Sequence, residues 1–198
     1  FPNTITKIED SVFENCTSLK NITLPNSITE IGDSAFHDCS NLRKVILSQK
    51  LERIGKSAFL SCHSLAEITI PEKVKEIEYA AFCGCAFTKI IIPSNVESIK
   101  SCAFMSCEEL TEIVFSEGVK EIENNAFSYC NKIKEVYFPK TLTSVGGLFY
   151  DNFDHDAFDC KSKVDIYYAG TEKEWNNVSK SKEFEDGIIP TYHFNSKY

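Results

Sequence analysis

Cysteine supplies the most reactive side chains in this sequence, since thiolates exchange with disulfides, attack electrophiles and bind zinc. Nine are present, and Cys16, Cys39, Cys62, Cys85, Cys107 and Cys130 follow one another at intervals of 23, 23, 23, 22 and 23 residues. So regular a column is one structural position repeated. Stacked positions about 4.8 Å apart would lie within the Cα range of a disulfide. Their Cβ vectors are parallel, however, so the sulfurs point the same way, and free cysteine is among the most buried residue types. The column is expected to hold buried, reduced thiols. Cys83 and Cys102 stand outside it. With Cys85 and Cys107 they could be drawn as a four-cysteine zinc site, but gathering two column members onto one metal would break two repeats. A Cys83–Cys102 bridge between neighbouring repeats stays open as an alternative. No metal and no cofactor are expected.

The remaining chemical candidates are weaker. His37, His63, His155 and His193 are dispersed. The run Asn152-Phe-Asp154-His-Asp156 has the spacing of a calcium loop, but Ala157 and Lys163 stand where an EF-hand needs Gly and Glu. No H-E-x-x-H, nucleophile elbow or glycine-rich phosphate loop occurs. Repeats place equivalent residues in rows and not in converging pockets, so no enzyme activity is expected.

What positions these residues is the repeat itself. Phe13, Phe36, Phe59, Phe82, Phe104 and Phe127 each precede a column cysteine by three, and each follows a small residue, Val12, Ala35, Ala58, Ala81, Ala103 or Ala126. Pro2, Pro25, Pro71, Pro93 and Pro139 open the units, with Ser48 and Ser116 in the two other slots. The consensus is P-x-x-I-x-x-I-x-x-x-A-F-x-x-C-x-x-L-x-x-I-x-L. A unit this short cannot bury its apolar face alone, so the coils must stack and each apolar column must become a ladder. Each unit ends in period-two alternation, as in Leu42-Arg-Lys-Val45-Ile-Leu47, which predicts a short parallel strand closed by proline. The expected fold is an α/β repeat solenoid, a right-handed coil of about seven units of 22–23 residues with short parallel strands. At roughly 4.8 Å per strand it spans on the order of 35 Å.

This consensus resembles the BspA-type (Treponema pallidum-type) leucine-rich repeat over about residues 2 to 168. Its A-F-x-x-C core separates it from the commoner L-x-x-L-x-L-x-x-N pattern. The segment Ile166-Tyr-Tyr-Ala-Gly-Thr-Glu-Lys-Glu-Trp175 is similar to a C-terminal segment of such proteins from gut-dwelling bacteria. The resemblance implies a secreted or surface-anchored protein of many repeats, engaged in adhesion to host proteins or other microbes. It implies no catalytic residues.

Residues 1–168 are expected to form the solenoid, the seventh repeat carrying an insert at about 146–156 before Ala157-Phe158 and Cys160 resume the motif. Residues 169–198 are expected to cap it. There Thr171-Glu-Lys-Glu174 reads as a capping box opening a short helix with Trp175 and Val178, and Ile188–Phe194 alternates like a last strand. Phe1-Pro2 occupy the last strand position and the proline of a coil, so a preceding repeat is expected. The net charge of −8 and the scatter of 21 basic residues among 29 acids speak against a nucleic-acid partner. No run of about 18 apolar residues is present to insert in a membrane.

The outward position of each strand gives the row Thr23, Ile46, Thr69, Ile91, Val114, Tyr137 and Tyr167. Period-two geometry turns it toward solvent. Such residues also suit any sheet surface. Yet from Ile91 onward the row is a run of apolar and aromatic side chains, the kind of stripe that marks an interaction site. Its rim is Lys89, Glu112, Lys134, Glu135 and Asp165. Ile91, Val114, Tyr137 and Tyr167 are therefore the candidate contacts for a protein partner, host-matrix or microbial. The chain is expected to act as a monomer at the cell surface or outside the cell. A structural spacer and a secreted glycan-binding module are the alternative functions.

Overall fold

A computed structural model of the chain describes residue 2 and residues 4–147, 162–185 and 188–198. The elements are β1 (Lys7–Ile8), β2 (Asn21–Thr23), β3 (Glu30–Ile31), β4 (Lys44–Ile46), β5 (Arg53–Ile54), β6 (Glu76–Ile77), β7 (Lys89–Ile92) and β8 (Ser98–Ile99). They continue as β9 (Glu112–Phe115), β10 (Glu121–Ile122), β11 (Glu135–Phe138), β12 (Ser144–Val145), β13 (Ser162–Tyr168), α1 (Glu172–Asn176), β14 (Ser179–Lys180) and β15 (Ile188–Phe194). Every strand pair is parallel, and the repeat length sets the register: Ile8 lies beside Ile31 and Ile31 beside Ile54. The molecule is a β-solenoid. Among the described residues helix is confined to α1, because the segments joining the strands close as turns.

Each coil contributes two strands where the alternation predicts one. The predicted strands form the sheets β2-β4 and β7-β9-β11-β13-β15, here the strand face. The short strands around the isoleucine of the first apolar pair form a second pair of sheets, β1-β3-β5 and β6-β8-β10-β12-β14. Two residues are too few to show a period, so this face is hidden in the sequence. Both faces break at the same coil. Ala66–Ile70 forms no strand, although it carries the alternating pattern. In the strand face the break coincides with the single 22-residue step, Leu65 to Phe87, whereas in the second face β5 and β6 stand 23 residues apart and the 22-residue step from β6 to β8 is paired. Phe87 takes the leucine position one residue early, and the amide that reaches back is Ala86 N–H to Leu65 O at 2.9 Å. Elsewhere Arg43 N–H meets Lys20 O and Thr111 N–H meets Thr88 O.

The third side, the turn edge, is uninterrupted. Two residues per coil hold left-handed φ, for instance Ser34 (55°) and Asp38 (56°), and they bracket the Ala-Phe pair. Such φ is unfavourable for side-chain-bearing residues. Here the intercoil hydrogen bonds stabilise it: Ser34, Phe36 and Asp38 donate their N–H to Lys56, Ala58 and Leu60 carbonyls at 2.8–2.9 Å. Inside this edge Phe13, Phe36, Phe59, Phe82, Phe104 and Phe127 stack in one file, neighbouring centroids 5.1–5.5 Å apart and rings within 15° of parallel. That distance slightly exceeds the rung spacing, so the rings slip sideways as offset stacks prefer. Alanine is fully buried beside each ring from Ala35 to Ala126, where a larger residue would collide with the file.

Turns close each coil at the proline slot. Ile28 N–H donates to Pro25 O and Val74 N–H to Pro71 O. Ser48 fills that slot while wholly buried, its Oγ accepting Lys50 N–H at 3.1 Å, so the hydroxyl supplies by hydrogen bond the turn that proline supplies by its ring. Gly55 is required by close approach: a Cβ there would lie 2.5 Å from Asp33 Oδ1, which accepts Lys56 N–H at 3.0 Å.

At the far end both faces continue past residue 168. β14 pairs with β12, and β15 pairs with β13 over seven residues. α1 opens with the predicted capping box, Thr171 and Glu174 exchanging bonds. It buries Trp175 against Phe138, Tyr168, Phe184 and Tyr192 at centroid distances of 5.2–5.7 Å. Val178, placed on that helix by the sequence reading, is buried just beyond its end. Of the predicted insert, Gly146 and Gly147 are described. Residues 148–156, with Ala157, Phe158 and Cys160, lie outside the described residues, as do Phe1 and His155.

Candidate functional site

The cysteine column forms a third repeated hydrogen-bond series. Each thiol donates to the phenylalanine carbonyl of the preceding coil: Cys39 to Phe13, Cys62 to Phe36, Cys85 to Phe59, Cys107 to Phe82 and Cys130 to Phe104, at 3.1–3.4 Å. The eight described cysteines are free thiols, Cys83 and Cys102 included, so the structure shows no bridge between those two. Burial pushes the Cys39 thiol up to about 11 and Cys62 up to about 12, and it holds Cys85 and Cys107 well above the ordinary value. Protonated at neutral pH and turned inward, these thiols are poor nucleophiles and poor metal ligands. Cys85 and Cys107 stay in their column. Among the described residues no three His, Cys, Asp or Glu side chains come together as a metal set.

The strand face gathers the predicted contact residues. Register sets Ile91 beside Val114, Val114 beside Tyr137 and Tyr137 beside Tyr167 on successive rungs. Tyr137 and Tyr167 stack at 4.4 Å with planes 7° apart. The row then runs one rung further than expected: His193 of β15 lies beside Tyr167 and stacks on it at 4.5 Å. At the other end Thr23 and Ile46 pair with each other, and Thr69 sits in the segment Ala66–Ile70, which forms no strand.

Four of the five predicted rim residues are engaged within the strand face. Lys89 Nζ lies 2.8 Å from Glu112, Tyr137 donates its hydroxyl to Glu135 at 2.9 Å, and His193 Nε2 lies 2.8 Å from Asp165. Glu112, Glu135 and Asp165 are themselves in register, an acidic line flanking the aromatic one. Burial, then the bond to Glu135, raises Tyr137 above the usual phenol range, and burial raises Tyr167. Both rings present neutral hydroxyls.

One member of the row differs from expectation. Val114 is only 3% exposed, whereas Ile91 one rung away is 48% exposed. Asn195–Tyr198 lines, together with Val114, Tyr137, Tyr167 and Lys140, a groove of about 630 Å³ on the strand face. Tyr198 meets the Tyr137 ring edge-on at 5.0 Å and accepts a hydrogen bond from Lys89 at its hydroxyl. The Lys89 ammonium lies 4.6 Å from the Tyr198 centroid. Because it reaches the ring at the hydroxyl tip, the contact is a hydrogen bond and not a cation above the π face. His193 was within reach of the sequence, since aligning Ile188–Phe194 with Ser162–Tyr168 puts it next in line. Tyr198 was not, because no period links it to the repeats.

A stack of parallel-stranded coils, with inert thiols inside and a file of outward side chains along one sheet, defines a repeat protein that presents a surface. The chain belongs to the BspA-type leucine-rich repeat family, whose model matches six copies across residues 1–111 and 75–169. Leucine-rich repeats of this family are known from protein interaction and from surface proteins. Among solved structures, a leucine-rich repeat protein of Bacteroides ovatus superposes with a TM-score of 0.69 at 23% identity, covering 96% of this chain and 59% of that one. A leucine-rich repeat protein of T. pallidum superposes with a TM-score of 0.68 at 29% identity over 73% of this chain and 69% of its own. One from Eubacterium ventriosum gives 0.59 at 19% identity, covering 96% and 58%. The chain thus spans 59% of the length of the B. ovatus protein. No curated protein matches its sequence. Among the described residues no helix is long and apolar enough to cross a membrane.

Proposed function

We propose that this chain is a non-catalytic protein-binding module, displayed at a cell surface or secreted, that contacts its partner through Ile91, Val114, Tyr137 and Tyr167. One observation carries the reading: the four residues stand on consecutive rungs of one rigid sheet, and the two tyrosines stack face to face. Stacked tyrosines lose little side-chain freedom on binding and offer both ring surface and hydroxyl, which suits them to hot spots. In this reading residues 1–168 present the surface and residues 169–198 cap the core, and the module works as a monomer.

The test is binding of the purified chain to immobilised host extracellular-matrix proteins and glycans, against Tyr137→Ser/Tyr167→Ser. Saturable binding that weakens at least about tenfold in the double variant is the expected result, given about 1–2 kcal/mol for each hot-spot aromatic. Binding that survives the double substitution moves the contact off this row. Absence of binding across the whole panel favours a spacer.

A further inference from the structure

We propose that Tyr137 and Lys89, at the edge of the groove that Val114 lines, form a receptor slot for a tyrosine side chain of the partner, and that Tyr198 holds that slot in cis as a stand-in for the ligand. This rests on the row being the contact surface, and adds what the surface reads and what keeps it closed.

Three features of the Tyr198 contact specify a phenol. The Tyr137 ring meets the incoming ring edge-on, a geometry that favours an aromatic over an aliphatic side chain. Lys89, held by Glu112 at 2.8 Å, donates to the phenolic oxygen, which phenylalanine lacks. Val114 forms an apolar floor, buried although its sheet neighbour Ile91 stands open. Tyr198 itself gains little shelter in return, being 66% exposed. A side chain that shallow is readily displaced. A tethered occupant raises the apparent dissociation constant of any competitor by the inverse of the open fraction. If Tyr198 is seated in nine molecules of ten, a free ligand binds about tenfold more weakly than it binds the bare slot.

The experiment titrates the peptide acetyl-Asn-Ser-Lys-Tyr-amide, copied from residues 195–198, into the parent chain and into Tyr198→Ala by calorimetry. The same peptide ending in leucine serves as control. Exposure of Tyr198 makes the alanine variant safe for folding, and its circular dichroism melt should match the parent's. The expected result is about tenfold tighter binding of the tyrosine peptide to Tyr198→Ala than to the parent, with the leucine peptide at least about tenfold weaker. Adding Lys89→Met should remove most of the gain without touching the ring contacts. Equal affinity of parent and Tyr198→Ala, or equal affinity of the two peptides, overturns the slot. These arms need no natural partner, so they are separable from the broader reading. A macromolecular partner that binds parent and Tyr198→Ala alike through Tyr137 and Tyr167 overturns the slot and leaves the contact row standing. Peptide capture by a chain that binds nothing on the panel leaves the slot standing and overturns the row as a partner surface.

Discussion

The turn edge and the strand face are built from the same coils, yet one is uniform and the other varied. Along the turn edge phenylalanine, alanine and cysteine recur in every full coil from Phe36 to Cys130, and the aromatic file passes the 22-residue step with Phe82 and Phe104 still stacked at 5.4 Å. Along the strand face the sheet stops at Ala66–Ile70, and the outward row runs Thr, Ile, Thr, Ile, Val, Tyr, Tyr, His. The difference teaches where stability and specificity are kept. Rings that touch a neighbour above and below leave no latitude for another size, while outward residues answer only to solvent and to a partner. A solenoid assigns the two duties to different sides of one coil, so each can change without disturbing the other.

The sharpest way to break this comparison is to remove one ring. Phe82 is fully buried between Phe59 and Phe104 and meets Phe87 edge-on. Phe82→Ala should cost about 3–5 kcal/mol, the range for a buried aromatic replaced by a cavity. Urea denaturation followed by circular dichroism measures it. A loss below about 1 kcal/mol would mean that the edge does not hold the coils together. One step down, equivalent isoleucines on the strand face should differ. Ile113 is fully buried in β9, whereas Ile68, in the segment Ala66–Ile70 that forms no strand, is only partly buried. Ile113→Ala should cost about 2–5 kcal/mol and Ile68→Ala markedly less, since cost follows the atoms lost from contact. Equal costs would show that the interrupted coil packs like the others.

The thiol series sharpens the comparison through pH. Cys62 is held up to about 12 by burial, from an ordinary value of 9.0. A folded value above the unfolded one means that the contribution is complete below pH 9 and is lost as pH rises toward 12. In that window the unfolded chain releases a proton that the folded chain keeps, so stability falls by about 1.4 kcal/mol per pH unit per such thiol. Cys62→Ala should therefore be less stable than the parent at pH 7, by about 1–2 kcal/mol for the lost hydrogen bond and packing. The gap should narrow by about 1.4 kcal/mol per unit above pH 9. Denaturant midpoints at pH 7, 9 and 10 for both chains decide it, and parallel stability curves would refute the buried-thiol account.

How much of this was legible beforehand follows the same division. Phenylalanine, alanine and cysteine announced the turn edge because each is needed at every turn of a strict period, and the thiols were expected to be buried and reduced. Their carbonyl partners were not foreseen, since a bond from Cys62 to Phe36 depends on backbone direction. The strand face was legible through alternation in Lys89–Ile92 and Glu135–Phe138, and the row Ile91, Val114, Tyr137 and Tyr167 came out in register. It failed at Ala66–Ile70, where the pattern is present but the next coil is one residue short, because pairing is a property of two segments and not of one. The second face escaped notice because Glu30–Ile31 is too short for any period. The groove beside Val114 was invisible because part of its wall, Asn195–Tyr198, comes from outside the repeats.

The smallest effect belongs to the outward row of the open half, and there a near-zero result is the informative one. Thr69 is exposed in the segment Ala66–Ile70, which forms no strand, and no described neighbour pairs with it in a sheet. Thr69→Ala should shift stability by no more than about 0.5 kcal/mol either way, as surface substitutions do when they meet no cap, core or ion-pair network. Thr23→Ala, on the same row in β2, should behave alike, apart from a few tenths of a kcal/mol of strand preference. If both lie in that range while Phe82→Ala costs about 3–5 kcal/mol, the fold is indifferent to what this row carries. A side on which residue identity costs the fold nothing is free to be shaped by a partner. A loss above about 1 kcal/mol at Thr69 would mean that the threonine helps bridge the interrupted sheets. The strand face would then carry structural duty at the one coil where the two sides were taken to be most independent.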